Sequence, residues 1–344
     1  MEKHFFGTAD NGQEIFQYTI TDNKGNRLSV INYGATIQSL IVKNKNGEER
    51  DVVLGFDNLT QYEESTDRTY FGAVCGRVAN RIENAEFYIE GEKFQLAKNN
   101  GENCLHGGNS GFDKKFFDLT DAEDDYMTFS CFSMDGEEGF PGNLSLSVKY
   151  TLRNGLLMIE YMAQTTATCP VSLTNHSYFN LDGHGGNIRK HKLVLNSHFY
   201  MGVNNDGLAN GMVMPVEGTA FDFLTEKELG PQIDLAASRQ PSVKGIDHHF
   251  FCDNSMSEYR KFGTLTSSDD TLKMDILTNQ CGAQIYTGNF IPHMISKNGA
   301  VGENSGVAIE TQFAPNNLNY SHLPNMLLHR GETYYHKTGY RFYY

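Results

Sequence analysis

Tryptophan is absent from this 344-residue chain, prolines number only eight, and no apolar run approaches the ~20 residues that a membrane-spanning helix needs. Positive charge is scarce too: 28 Lys and Arg stand against 42 Asp and Glu, a formal net charge of −14. Phosphate backbones and anionic lipid faces are bound through excess Lys and Arg, so this balance argues against nucleic-acid and membrane partners. The six cysteines (Cys75, Cys104, Cys131, Cys169, Cys252, Cys281) are never closer than 27 positions, which rules out CxxC redox and zinc-knuckle spacings. Met1 to Phe6 lack the apolar stretch of a signal peptide. The expectation is a cytoplasmic protein with six reduced thiols, whose four Asn-x-Ser/Thr sequons (from Asn58, Asn143, Asn175 and Asn319) are chance matches.

Against those absences stand 34 glycines, 23 phenylalanines and 18 tyrosines, the composition of a turn-rich β protein. Leu144, Leu146, Val148, Tyr150 and Leu152 alternate with polar residues, which predicts a strand with one buried face. It turns at Asn154-Gly155, a strong short-range hairpin signal. The returning Leu156 to Ile159 is apolar on both faces, as expected between two layers. Alternation predicts further strands over 27–33, 36–42, 193–195, 271–277, 283–287, 307–313 and 333–342, with a turn at 44–47. Phe87 to Ile89 and Phe94 to Leu96 flank a turn over 90–93. Short helices fit only Asn58 to Glu64 and Thr225 to Gly230, and no long amphipathic helix is expected. No repeat or linker divides the chain, so the reading is one all-β domain over 1–344, of stacked, largely antiparallel sheets.

Several residues carry chemical possibilities, each with a plain structural alternative. His106 precedes Gly107-Gly108, where glycines allow close backbone approach to a ligand or form an ordinary turn. Alternation along Ser172 to Leu181 places Thr174, His176, Tyr178 and Asn180 on one face, a set suited to a polar cleft, though a satisfied structural histidine fits too. Glu310, with Ala308 and Gln312, reads on spacing alone as the solvent side of an amphipathic strand. Asp247 precedes His248-His249, but neighbouring strand residues point to opposite faces and do not chelate together, so no metal site is expected. Arg77 and Arg81 suit either a ligand oxygen or a structural ion pair. Phosphate loops, dinucleotide fingerprints and Ser/Cys nucleophile motifs are missing, so no cofactor is expected.

In order along the chain, Asn32-Tyr33-Gly34-Ala35, Gly76-Arg77-Val78-Ala79-Asn80-Arg81-Ile82, Leu105-His106-Gly107-Gly108, Leu173 to Leu181, Gly245-Ile246-Asp247-His248, Tyr286 to Phe290 and Glu310-Thr311-Gln312 together resemble the aldose 1-epimerase (galactose mutarotase) family. The resemblance implies a β-supersandwich with an open sugar cleft. It implies Glu310 as general base, His176 as general acid and His106 as a second histidine near the anomeric carbon. It further implies that Asn80, Arg81, Tyr178, Asp247 and Gln284 hold the oxygens of a free aldohexose such as D-galactose or D-glucose, in a monomer or weak homodimer. With ordinary values of ~4.3 for Glu and ~6.5 for His, and mutual attraction lowering the first and raising the second, a bell-shaped pH profile follows. The chain departs from the family's pattern at Pro315-Asn316-Asn317, Thr219-Ala220-Phe221 and Arg330-Gly331-Glu332, which touches loop geometry and sugar preference. Rival readings are a carbohydrate-binding protein without turnover, a hexose-6-phosphate epimerase, and a glycoside hydrolase using two carboxylates such as Glu310 and Asp247.

Overall fold

A computed structural model describes residues 1–64, 69–183, 186–253 and 258–344. Among them the strands form three large, antiparallel sheets of five, nine and six strands, joined by short two-stranded pieces. The alternating segment is the strand Leu144–Arg153 of the nine-stranded sheet, with Leu144, Leu146, Val148, Tyr150 and Leu152 all buried. Asn154 and Gly155 take φ of +55° and +79°, a left-handed pair whose twist matches the strands it joins. The return strand runs on to Thr165. Its two faces are unequal, contrary to expectation: Leu157 and Ile159 are buried, whereas Leu156 and Met158 are only half-covered. The outer face of this sheet is thus not roofed by a second complete layer.

A single apolar cluster joins the three sheets, including Leu28 and Ile37 from the first, Val148 and Ile159 from the second, and Ile285 and Ile309 from the third. Each such side chain contributes about 1.5–3 kcal/mol on burial. Buried tyrosines keep their hydroxyls satisfied: Tyr150 donates to Ala35 O at 2.6 Å and Tyr340 to Ile309 O at 2.9 Å. No disulfide joins any of the six cysteines. No helix among the described residues is long and apolar enough to cross a membrane.

Two α-helices occur among the described residues. Leu59–Glu63 lies where expected, with Asn58 as N-cap accepting from Gln61 N–H. The second, Leu229–Arg239, begins where the expected Thr225 to Gly230 helix ends, and its eleven residues correct the expectation that only short helices occur. Gly230-Pro231 reads as a helix stop in sequence. In the first turn, however, Pro loses no intrahelical hydrogen bond, and Leu229, Ile233 and Ala236 bury one face. The Ser172 to Leu181 segment is also not one strand. Thr174–Asn175 pairs with Val74–Cys75, Tyr178–Phe179 pairs with Val307–Ala308, and the chain breaks at His176 and Ser177 between them.

Candidate active site

The six-stranded sheet supplies the floor. Strand Val307–Gln312 lies between Tyr178–Phe179 and Gly282–Tyr286, and the latter pairs in turn with Asp247–Phe251. Because side chains alternate, Phe179, Ile309, Ile285 and Phe250 enter the core on one face. Tyr178, Glu310, Gln284, Tyr286 and Asp247 therefore share the other face, with Gln284 directly opposite Glu310. Glu310 is 2 % exposed, so the solvent-side reading of its strand does not hold. Alternation reveals that Ala308, Glu310 and Gln312 share a face, but not whether that face meets water or a cleft.

The facing wall comes from two turns. Asn80 and His106 adopt φ of +65° and +49°, at the ends of the paired segments Arg81–Ile82 and Cys104–Leu105. Gly107 is required there for its neighbour and not for a ligand: at φ +91°, an added Cβ would sit 1.9 Å from Gly76 O. Asn80 N–H donates to His106 Nδ1 at 3.2 Å, and His106 N–H donates to Asn80 O at 3.1 Å. The neutral His106 ring consequently carries its proton on Nε2. His176 sits at the break between its two short strands, its N–H donating to Ala73 O and its carbonyl accepting from Gly72 N–H.

These pieces enclose a cavity of about 240 Å³ lined by Asn80, Arg81, His106, His176, Tyr178, Asp247 and Glu310. His176 Nε2 lies 3.5 Å from Glu310 Oε1, and the His106 and His176 rings meet edge-on at 5.2 Å. Asp247 receives Gln284 Nε2–H at 2.7 Å and faces Arg81 Nη1 at 3.9 Å. Gln284 does not line the cavity; it stands beside Asp247 with its Oε1 unpartnered. Arg81 is further held by Asn100 Oδ1 at 3.0 Å. Arg77 points away, buried against Ser133, Met134 and Pro141 carbonyl and hydroxyl oxygens, which is the structural reading of that residue. Thr69, Tyr70, Asn100, Leu105, Tyr286, Phe290 and Ile291 also line the cavity and were not singled out from sequence. Tyr286 lies two residues beyond Gln284 on the same strand face, so alternation alone implies its place. Nothing local in the sequence marks Tyr70, whose ring stacks on His176 at 5.6 Å.

Burial governs the charges here. It pushes Glu310 well above the ordinary carboxylate range, helped by the charge of Asp247 and opposed by Arg81. Burial likewise pushes His176 down to about 4, and raises Asp247. The expected mutual attraction of Glu310 and His176 therefore loses to desolvation, and both shifts run opposite to expectation. Burial thus favours the neutral form of each group over the ion pair.

His106, His176 and Glu310 offer ligand atoms within 4.8 Å of one another, a set that invites a metal reading. The donor set does not fit. Holding a metal on Nε2 would force the His106 proton onto Nδ1, against the Asn80 N–H already donated there.

The sequence profile of the family "Aldose 1-epimerase" matches residues 17–341. The chain belongs to the aldose 1-epimerase family. A galactose mutarotase from Sus scrofa is 41% identical over 98% of this chain and 97% of its own length. The aldose 1-epimerase of Escherichia coli K12 is 33% identical over 97% of each. Among solved structures, an aldose epimerase homologue from C. elegans superimposes with a TM-score of 0.88 at 26% identity, covering 95% of this chain and 98% of that one. A galactose 1-epimerase from Lactobacillus acidophilus gives 0.86 at 26% identity, covering 99% and 98%. Aldose 1-epimerases are isomerases, and the β-supersandwich architecture is shared with these neighbours.

Proposed function

We propose that this aldose 1-epimerase interconverts the α and β anomers of a free hexose such as D-galactose or D-glucose, using Glu310 as general base and His176 as general acid. The observation that carries this reading is the 3.5 Å approach of His176 Nε2 to Glu310 Oε1 over the cleft floor. In the reactive tautomer the proton has passed from Glu310 to His176 across their 3.5 Å contact. Glu310 then removes the C1 hydroxyl proton while His176 protonates the ring oxygen, and the C1–O5 bond breaks to give the aldehyde. Rotation about C1–C2 presents its other face, and both proton transfers then reverse. Each group contributes roughly 10²–10⁴-fold. After ring opening Glu310 holds the proton and His176 is neutral, which is the charge state burial favours. The site is thus electrostatically matched to the open-chain intermediate. His106, with Nε2–H facing the site, donates to the C1 oxygen as negative charge builds there. Asn80, Arg81, Tyr178 and Asp247 hold sugar hydroxyls, and Gln284 acts through Asp247 by fixing its carboxylate.

The charge state also reassigns the pH profile. The alkaline limb belongs to Glu310, and on the acid side the charging of His176 coincides with that of the other buried histidines. Polarimetry of freshly dissolved α-D-galactose and α-D-glucose tests the proposal. Accelerated approach to the same end-point, abolished in Glu310→Gln, supports it. A folded protein that binds sugar without acceleration overturns it in favour of a binding protein.

A further inference from the structure

The strand Asp247–Phe251 has a second side. Asp247 faces the cleft, so the next residue, His248, projects from the opposite face. There it lines a separate cavity of about 350 Å³, closed by the C-terminal end of the helix Leu229–Arg239. Its size exceeds that of the catalytic cleft and falls in the range of small-molecule sites.

The lining has the makings of a recognition site. His248 is 2 % exposed, and its Nδ1 accepts Asp247 N–H at 3.1 Å. The neutral ring therefore carries its proton on Nε2, which has no hydrogen-bond partner among the described residues. An acceptor entering the cavity would gain a hydrogen bond from this Nε2–H. Phe221 packs against His248 at 4.2 Å and against Tyr200 at 4.3 Å, giving an aromatic wall. Opposite chemistry surrounds it. Asn210 spends Oδ1 on Met212 N–H and keeps its amide N–H groups, while Gln240 spends its amide N–H groups on Val203 and Asn204 carbonyls and keeps Oε1. Aromatic surface beside planar amides suits a ring bearing hydroxyls.

Charge selects further. None of the described residues lining the cavity is acidic, in a chain with a net charge of −14. Its one guanidinium, Arg239, forms no hydrogen bond or ion pair among the described residues and lies near the Tyr200 hydroxyl. The helix end contributes roughly half a negative charge, so the mouth remains net positive.

We propose that this cavity is a second ligand site, taking a sugar-sized hydroxylated molecule with one anionic group, carboxylate or phosphate. The aromatic wall and amides take the ring, His248 Nε2–H takes a hydroxyl, and Arg239 takes the anion at the mouth. It lies on the opposite face of the strand that carries Asp247 into the cleft.

Calorimetric titration of the full chain with D-galacturonate and with galactose 1-phosphate, each under saturating D-galactose to fill the cleft, tests this. Binding of at least one anion that persists under galactose, weakens about tenfold or more in Arg239→Gln and is partly kept in Arg239→Lys is the expected result. Mutarotation of galactose by Arg239→Gln should be unchanged. Which of the two anions binds identifies carboxylate or phosphate as the preferred group. Absence of binding, displacement of both anions by galactose, or indifference to Arg239→Gln would overturn the proposal.

Discussion

Acid should unfold this protein over a narrow range, because five histidines are buried in their neutral form. Burial holds His176 and His191 at about 4, and His248, His249 and His336 at about 3, against an ordinary value of 6.5. At His191 a contact also requires neutrality, because Nε2 accepts Leu181 N–H at 2.9 Å, whereas at His336 burial alone opposes the charge. A depressed histidine pKa contributes stability that is present above 6.5 and lost as pH falls toward the folded value. At pH 5 each such residue forfeits about 2 kcal/mol, so the five together forfeit about 10 kcal/mol. That rivals the ~5–15 kcal/mol total of a typical domain. Glu310 and Asp247 oppose the loss, because their raised pKa values make protonation favourable in the folded state. Unfolding near pH 5.5 should still take up protons net, because five histidines outnumber these two carboxyls. Urea denaturation at constant ionic strength, repeated in half-unit steps from pH 7.5 to 4.5, measures this slope directly. A stability that stays flat between pH 7 and 5 would refute the argument, since it would mean these imidazoles charge without cost.

Replacing Glu310 by Gln should lower kcat/KM by about 10²–10⁴-fold while leaving the fold intact, as polarimetry and circular dichroism would report. Asp247→Asn removes a charge that raises Glu310, so the alkaline limb of the kcat/KM profile should move to lower pH; an upward move would contradict the assignment. Gly107→Ala should displace His106 through its clash with Gly76 O and lose most activity, whereas Gly12→Ala, with open space around it, should keep activity. Leu157→Ala should cost about 2–5 kcal/mol of unfolding free energy without altering the pH profile.

Much of the architecture is written locally. The hairpin around Asn154-Gly155 follows from alternation plus two left-handed positions, and the turn at 44–47 closes with Gly47 N–H on Asn44 O. The compact hairpin near residue 90 is likewise present, over Glu86–Ile89 and Glu92–Gln95, with its turn tightened to Glu90-Gly91. Alternation fails where the chain changes sheet within a few residues, as at His176, since no period survives the break. It also fails where a polar face is covered from a distance. Glu310 looks solvent-facing until the turns at Asn80 and His106, more than two hundred residues earlier, close over it. The family resemblance reached those residues because it joins separated segments. It did not reach the direction of the charge shifts, which depends on how dry the finished cavity is. Among the family departures, Asn316 is engaged in the fold itself: it accepts Glu83 N–H and donates to Ala209 O.

The floor of the cleft has a consequence for how the enzyme fails on heating. On Val307–Gln312 and Gly282–Tyr286, the cavity residues Glu310 and Tyr286 directly follow the core residues Ile309 and Ile285. Neither set can shift without dragging the other. An enzyme whose reacting groups ride on surface loops can lose activity well before it melts. Here thermal inactivation and global unfolding should coincide, and gains in heat tolerance should extend the working temperature by the same interval.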